Sequence, residues 1–285
     1  MATRTSSSVS SAPAATKKKP AARSAAAAAR SAAAASPKKP AAQSAASAAR
    51  SAASAASKKP ASSVSKALPC FGTEARALIG ELARRQDREW FAPRKEAFRE
   101  QLTDPMQAVL TSLGPLLLDG FPAVEDAVPK LFRIYRDTRF SKDKRPFKEH
   151  VGGELSLGRA GFYIHVSATE VFAAVGLWQM EPDMLQRYRR SIVDNNALGD
   201  ALLGATADLE ARGWVLMSMG ELARAPAGIS PSHPRIHLLK HKGWAMALPL
   251  DGVDVGAPSL PAALAGRVLQ ARKALLLLEQ AVAGR

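Results

Sequence analysis

The chain has 285 residues, of which 40 are basic and 25 are acidic, and a single cysteine, Cys70. One cysteine excludes an intramolecular disulfide framework and a cysteine metal cluster. No apolar run reaches 18 residues, so we expect no membrane-spanning helix. The N-terminus lacks the apolar segment of a secretory signal, but its Arg, Ser and Ala content without acids leaves a transit peptide open.

The net charge of +15 is concentrated in the first 66 residues. That segment holds 12 basic and no acidic side chains, whereas the other 219 residues hold 28 basic and 25 acidic ones and carry only +3. A Lys-Lys-Pro triplet recurs in it every 20 residues, at 18–20, 38–40 and 58–60. The alanine- and serine-rich runs between the triplets contain no large apolar side chain that could form a core. We therefore predict a disordered tail over residues 1–66, with nascent helix between the prolines.

The composition of this tail resembles the Lys/Ala/Pro-rich tails of linker histones and of bacterial histone-like proteins. Residues 36–39, Ser-Pro-Lys-Lys, are similar to the unit with which such tails contact the DNA minor groove. Cations on a flexible chain without acids displace counterions from a polyphosphate. The tail is thus predicted to contact DNA or RNA; the alternative is a low-complexity spacer that binds polyanions only incidentally. The lysines concerned are Lys18, Lys19, Lys38, Lys39, Lys58 and Lys59.

Helical spacing of apolar residues dominates the first part of the remaining chain. It predicts a helix from Thr73, a second from about Pro93, and a third from Asp104 that stops before Gly120. Alternation then predicts strands at 132–140, 155–157, 161–167 and 171–178, with Gly152 and Gly153 in a turn. Helices are predicted from Glu181, over 198–210 and over 259–283, and short strands at 213–219 and 243–250. This order predicts an α+β fold: a single domain over residues 67–285, with an antiparallel sheet and packed helices, preceded by the tail.

The most unusual stretch is the basic segment (133–148), which holds seven basic and two acidic residues among aromatic side chains. Arginine and lysine at this density suit phosphate or carboxylate binding, with Asp137 and Asp143 orienting the arginines. The alternative is an internal salt-bridge network that joins the strand and loop to the helices. The candidate anion-binding residues are Arg133, Arg136, Arg139, Lys142, Lys144 and Lys148, together with Arg224 and Lys240.

Candidates for catalysis are few. His165 shares a predicted strand face with a tyrosine, and His233 lies in a proline-rich loop near Arg224 and Lys240; either could transfer a proton. Asp137 is a third candidate, as a base. His237 and His241 have the spacing of helical metal ligands, but a strand entry is predicted there, so we expect no metal site and no cofactor.

The chain after the tail also resembles a known family, the one catalogued as domain of unknown function 2461. The resemblance depends on residues 88–91 (Arg-Glu-Trp-Phe) and on 132–137 (Phe-Arg-Ile-Tyr-Arg-Asp) through Lys148. It extends over residues 161–163, 176–178, 181–182, 222–228, 233–234 and 238–240. Arg85 and Gln86 stand where the family pattern has asparagines. The resemblance implies one α+β domain and no established activity.

Two main hypotheses of function follow. The first is a cytoplasmic or nucleoid-associated protein whose tail binds nucleic acid and whose basic segment adds an anionic contact. The second is an enzyme that acts on a phosphorylated or carboxylated small molecule, with arginines for binding and a histidine for proton transfer. An interaction scaffold is a third, and the oligomeric state is open. A basic segment beside a concave pocket with a histidine favours the enzyme; arginines paired with internal carboxylates favour a structural role.

Overall fold

The computed structural model describes residues 71–284. The predicted tail, with the six lysines nominated for nucleic-acid contact, and Cys70 lie outside these residues. The strands are β1 (Lys130–Leu131), β2 (His150–Ser156), β3 (Gly161–Ser167), β4 (Val171–Leu177), β5 (Val215–Met217) and β6 (Trp244–Pro249). The α-helices are α1 (Thr73–Arg85), α2 (Arg88–Phe91), α3 (Lys95–Phe98), α4 (Asp104–Leu117), α5 (Pro182–Asp194), α6 (Asn196–Ala211), α7 (Ile236–Leu239), α8 (Leu260–Gln270) and α9 (Arg272–Ala283). A π-helical turn (Arg99–Thr103) joins α3 to α4, and short 3₁₀ turns lie at Ala92–Arg94 and Pro122–Val124.

The strands form one six-stranded sheet in the order β1-β2-β3-β4-β6-β5, and every neighbouring pair is antiparallel. The predicted α+β fold is thereby confirmed. Within residues 71–284, none of the helices combines the length and the apolar character that crossing a bilayer requires.

One face of the sheet is covered by helices. Phe162, Ile164 and Val166 alternate along β3 and are fully buried in the main apolar core, which also contains Leu110 and Leu113 of α4. Helix α4 approaches β2 so closely that a Cβ atom on Gly153 would lie 2.6 Å from a methyl carbon of Leu110. This face carries most of the domain's buried apolar area, and therefore most of its hydrophobic stabilisation.

The other face of the sheet has a smaller apolar cluster of its own. Phe172 and Ala174 of β4 and Met217 of β5 pack there with alanines of β6. Because side chains alternate between the faces of a strand, His150 of β2 and His165 of β3 also belong to this second face. We call it the open face.

The structure departs from the predicted strand at 132–140. Strand β1 ends at Leu131, and the chain then turns back on itself: Tyr135 forms an isolated bridge with Phe147, and Arg136 N–H donates to the Pro146 carbonyl. The basic segment therefore pairs with itself rather than extending the sheet.

Two further predictions were wrong. Gly152 and Gly153 lie inside β2 rather than in a turn, so this strand starts five residues earlier than the alternation at Leu155 suggested. The C-terminal helix is divided at the buried Ala271. The division lets α8 pack against α4 and α9 against α5 and α6.

Candidate functional site

A cavity of about 490 Å³ lies on the open face of the sheet, and we call it the sheet cavity. Strands β2, β3 and β4 form its floor, and the chain just before the basic segment, together with Lys148 at the end of that segment, forms one wall. The side chains that matter for its chemistry are Phe132, Lys148, His150, Tyr163, Phe172 and Trp178.

The positions of two aromatic rings in the cavity, Tyr163 and Phe132, depend on a glycine in β2. Tyr163 lies across the backbone of β2 at Gly152, where an added Cβ atom would be only 2.5 Å from the tyrosine hydroxyl oxygen. This approach brings the Tyr163 ring to 5.8 Å from the Phe132 ring in an edge-to-face arrangement. Such aromatic pairs hold each other in a defined orientation. Gly152 therefore determines the position of both rings.

Three rings stack across neighbouring strands on the floor of the cavity. The centroids of His150 and His165 are 4.4 Å apart, and those of His165 and Phe172 are 4.5 Å apart. His150 and Phe172 line the cavity, whereas His165 is only 2% exposed and lies between them. His150 is thus the histidine that can reach a bound molecule, and His165 supports it.

Both histidines are neutral at pH 7. Burial, reinforced by the charges of Lys148 and Arg136, lowers the pKa of His150 to about 4. Burial and the neighbouring His150 hold the pKa of His165 well below its usual value. The Tyr163 hydroxyl, which burial keeps protonated by raising its pKa, lies 3.4 Å from Nδ1 of His165. The cavity floor therefore offers imidazole nitrogen rather than a positive charge.

The positive charge comes from Lys148. This side chain is 7% exposed, and among residues 71–284 it has neither a carboxylate partner nor a hydrogen bond; its Nζ lies 5.4 Å from the centre of the Phe132 ring. Burial, followed by repulsion from Arg133 and Arg136, lowers its pKa. A buried ammonium without an acid is costly. An anionic group from outside the domain would compensate it.

The other charges around the cavity are already paired. Lys130 Nζ lies 2.6 Å from an oxygen of Glu154, the single acid among the lining residues that the structure describes. Arg159 pairs with Glu279 of α9 at 3.1 Å. Lys148 is consequently the one lining cation of the described chain that no internal carboxylate neutralises; its Nζ has only the Phe132 ring, 5.4 Å away.

The arginines of the basic segment, by contrast, are neutralised locally. Arg136 pairs with Asp143 at 2.8 Å, and Arg139 pairs with Asp137 at 2.7 Å. Arg145 contacts both Asp143 and Glu149. None of these side chains lines the sheet cavity. These arginines are therefore paired internally, but with acids of the same stretch and not with the helices, as the salt-bridge alternative had it.

The remaining predicted anion-binding residues are dispersed. Arg133 and Lys142 are exposed, and Lys144 Nζ donates to the Thr138 carbonyl at 2.9 Å. Arg224 is exposed in the loop before α7, and Lys240 pairs with Glu221 at 3.2 Å. Of the eight residues nominated for anion binding, the structure brings only Lys148 to the cavity.

The nominated catalytic residues are also apart from one another. His165 lies on the cavity floor between His150 and Phe172 but does not line the cavity. His233 lies in the loop before α7, where its Nδ1 accepts from the Arg235 backbone N–H at 3.2 Å. The hydrogen bonds from Arg139 lower the pKa of Asp137 to about 2, so it is an ionised partner in a salt bridge and does not line the cavity.

His237 lies in the short helix α7, not at a strand entry, and His241 follows that helix. In the part of the chain that the structure describes, no three His, Cys, Asp or Glu side chains are grouped as a metal site would require.

Sequence reasoning missed His150, Phe132 and Trp178 as site residues. The signal was alternation: Lys148, His150, Gly152 and Glu154 occupy every second position and share one face when β2 is taken to begin before the glycines. Trp178 follows β4, and its indole N–H is buried without an acceptor among residues 71–284.

One comparison with known proteins is informative. A family model described as "Conserved hypothetical protein (DUF2461)" matches residues 75–275, which include all the cavity side chains named above and none of the tail. No curated protein and no solved structure gives a significant match. The match covers well over half of the chain, so this protein belongs to the DUF2461 family.

Proposed function

We propose that the domain binds a small molecule that carries a carboxylate or phosphate group, and that the sheet cavity is its site. The observation that carries this proposal is the buried ammonium of Lys148, which has no acidic partner among the described residues. Arg133 and Arg136 reinforce the positive potential at this point, since both shift the pKa of Lys148 in the same direction.

The cavity also suits the rest of such a molecule. Its volume of about 490 Å³ falls in the range of small-molecule sites. Phe132, Tyr163 and Phe172 offer apolar and aromatic surface to the body of the ligand. The unpartnered indole N–H of Trp178 would be satisfied by an acceptor on the ligand. We therefore expect a flat or apolar body with one anionic group.

The test is a thermal-shift screen of carboxylated and phosphorylated compounds on the full-length chain, followed by calorimetry of any compound that binds. Lys148→Met should weaken binding by about 100-fold, the usual cost of losing a charged partner in a desolvated site. Lys142→Met is the matched control, because Lys142 lies in the same segment but is exposed and away from the cavity. Equal affinity in the wild type and Lys148→Met would refute the proposal.

We propose as a second function that the tail contacts nucleic acid. Support comes from its charge of +12 without any acid, against +3 for the remaining residues. Replacing Lys18, Lys19, Lys38, Lys39, Lys58 and Lys59 by Gln should lower DNA affinity and flatten its salt dependence in a gel-shift titration. Lys148→Met should leave that dependence unchanged. A six-fold variant with the wild-type salt slope would show that the tail is only a spacer.

A further inference from the structure

We propose that the sheet cavity is an active site in which Lys148 forms a Schiff base with the carbonyl group of a bound anionic carbonyl compound. The inference rests on the proposed binding function and adds a covalent step to it: the protonated form of Lys148 attracts the anionic compound, and the unprotonated fraction of the same amine attacks its carbonyl group. It assigns Lys148 as the nucleophile and His150 as the group that moves the proton.

The surroundings of Lys148 are those that make a lysine nucleophilic. A lysine amine attacks carbonyl carbon only when it is unprotonated, and desolvation together with a neighbouring cation favours that form. Lys148 meets both conditions: it is 7% exposed, and Arg133 and Arg136 act on it while no carboxylate of the described chain does. Lysines that are paired with an acid, such as Lys130 with Glu154, lack this activation.

His150 is placed to move the proton that the reaction releases. It lines the same cavity two residues after Lys148, its ring makes no side-chain hydrogen bond among residues 71–284, and stacking on His165 fixes its plane. A neutral imidazole can accept a proton at one step and return it at the next. The titratable or charged groups acting on His150 are Lys148, Arg136 and His165, with Tyr163 beyond His165.

The chemical step balances without a further reactant. The Lys148 amine adds to the carbonyl carbon, and the electron pair of the C–O π bond moves to oxygen. His150 takes a proton from the nitrogen and gives it to that oxygen, which yields a carbinolamine. His150 then takes the remaining N–H proton and delivers it to the hydroxyl group, which leaves as water while the nitrogen lone pair forms the C=N bond. Overall, one amine and one carbonyl give one imine and one water.

The expected substrate is a ketone or aldehyde that carries a carboxylate or phosphate. Lys148 attracts the anion, and Arg133 and Arg136, which do not line the cavity, add to the positive potential around it. The rings of Phe132, Tyr163 and Phe172 accept the apolar part.

The experiment is reductive trapping on the full-length protein with 4-carboxybenzaldehyde, an aromatic aldehyde with one carboxylate. Sodium cyanoborohydride converts the imine into a stable secondary amine, which peptide mass spectrometry locates. At pH 7, Lys148 should be modified faster than exposed lysines such as Lys142 and Lys144, because its lowered pKa leaves a larger fraction of the amine unprotonated.

Variants of His150 test its role in proton transfer separately from the role of Lys148 as nucleophile. His150→Phe retains a ring for stacking on His165 but has no nitrogen, and it should slow labelling of Lys148 by about 100-fold while the aldehyde still binds. His237→Gln, a change at an exposed histidine, is the control and should label at the wild-type rate. Benzaldehyde, which lacks the carboxylate, should label Lys148 more slowly than the charged probe.

The outcomes are distinct and need no variant to be decisive. If Lys148 reacts no faster than Lys142 and Lys144 although 4-carboxybenzaldehyde raises the melting temperature, the Schiff-base proposal is overturned and the binding site stands. If the probe neither binds nor labels Lys148, the assignment of anionic carbonyl compounds is wrong, and the screen with carboxylated and phosphorylated compounds decides the binding function separately.

Discussion

Two kinds of cation come from one stretch of the chain and have opposite environments. Arg136, Arg139 and Arg145 pair with carboxylates that lie nearby in the same stretch, and they leave the cavity untouched. Lys148 turns inward at the end of the stretch, loses its water and meets no acid of the described chain. The difference shows that a high density of charge does not mark a binding site. The proposed site depends instead on a single buried charge that no carboxylate of the described chain compensates.

The largest effect on stability should come from the protonation of His150, the buried histidine beside Lys148. Its pKa is about 4 in the folded protein and about 6.5 in an unfolded chain, so the unfolded state binds more protons between these values. The stability linked to His150 is therefore complete above pH 6.5 and is lost as the pH falls towards 4, by about 3 kcal/mol in all.

Urea unfolding at pH 7 and pH 4 measures this loss. His150→Phe should have a smaller loss than the wild type, whereas His237→Gln, at an exposed position, should not differ from it. A wild-type loss that His150→Phe leaves unchanged would mean that other groups cause it.

The second prediction is that a substitution of Lys148 stabilises the fold, whereas most substitutions in a protein core destabilise it. Lys148→Met removes an uncompensated buried charge and keeps a side chain of similar length, so the ligand-free protein should gain about 1–2 kcal/mol of stability. The gain should shrink as the pH rises above the lowered pKa of Lys148, where the wild type becomes neutral. Calorimetric melting at pH 7 and pH 10 tests it; a lower melting temperature for the variant at pH 7 would show that Lys148 has an internal partner.

The third prediction uses an arginine of the paired group. Arg136 is 21% exposed and contacts Asp143 at 2.8 Å, so Arg136→Ala should destabilise the fold by about 1 kcal/mol. Because Arg136 does not line the cavity, ligand affinity should fall much less than for Lys148→Met. If the melting temperature is unchanged and affinity falls strongly, Arg136 belongs to the binding group instead.

The smallest effect on stability is expected at the most exposed of these ion pairs, Arg139 with Asp137. Arg139 is 75% exposed and its contact with Asp137 is screened by solvent, so Arg139→Ala should leave the melting temperature unchanged within error. A clear decrease in salt-free buffer that disappears at high salt would show that this pair contributes more than its exposure suggests.

The sequence predicted the fold better than the site. Helical spacing and the proline and glycine signals gave most of the helices, and alternation gave β3, β4 and β6, because these patterns are imposed by burial against one core. The two glycines of β2 concealed that strand: a glycine pair usually marks a turn, and only the neighbouring Tyr163 explains why Gly152 lies within a sheet. With the start of β2 hidden, His150 could not be assigned to the same face as His165.

The sequence predicts only part of the difference in environment between Lys148 and the arginines. The spacing of Asp137 to Arg139 and of Asp143 to Arg145 is the same, and each pair closes locally through side-chain and backbone hydrogen bonds. Such local pairs can be predicted from spacing. Burial of Lys148 cannot, because it results from the position of Phe132 and from the way the chain returns to the sheet.

The approach of Tyr163 to Gly152 couples two positions that are distant in sequence but opposite in the sheet. A methyl group at position 152 would fill the space that the tyrosine hydroxyl occupies, so an enlargement there requires a smaller or displaced ring at position 163. Across related sequences, a larger residue at position 152 should therefore occur together with a smaller residue at position 163. To change the shape of the sheet cavity for a different ligand, positions 152 and 163 should be substituted together.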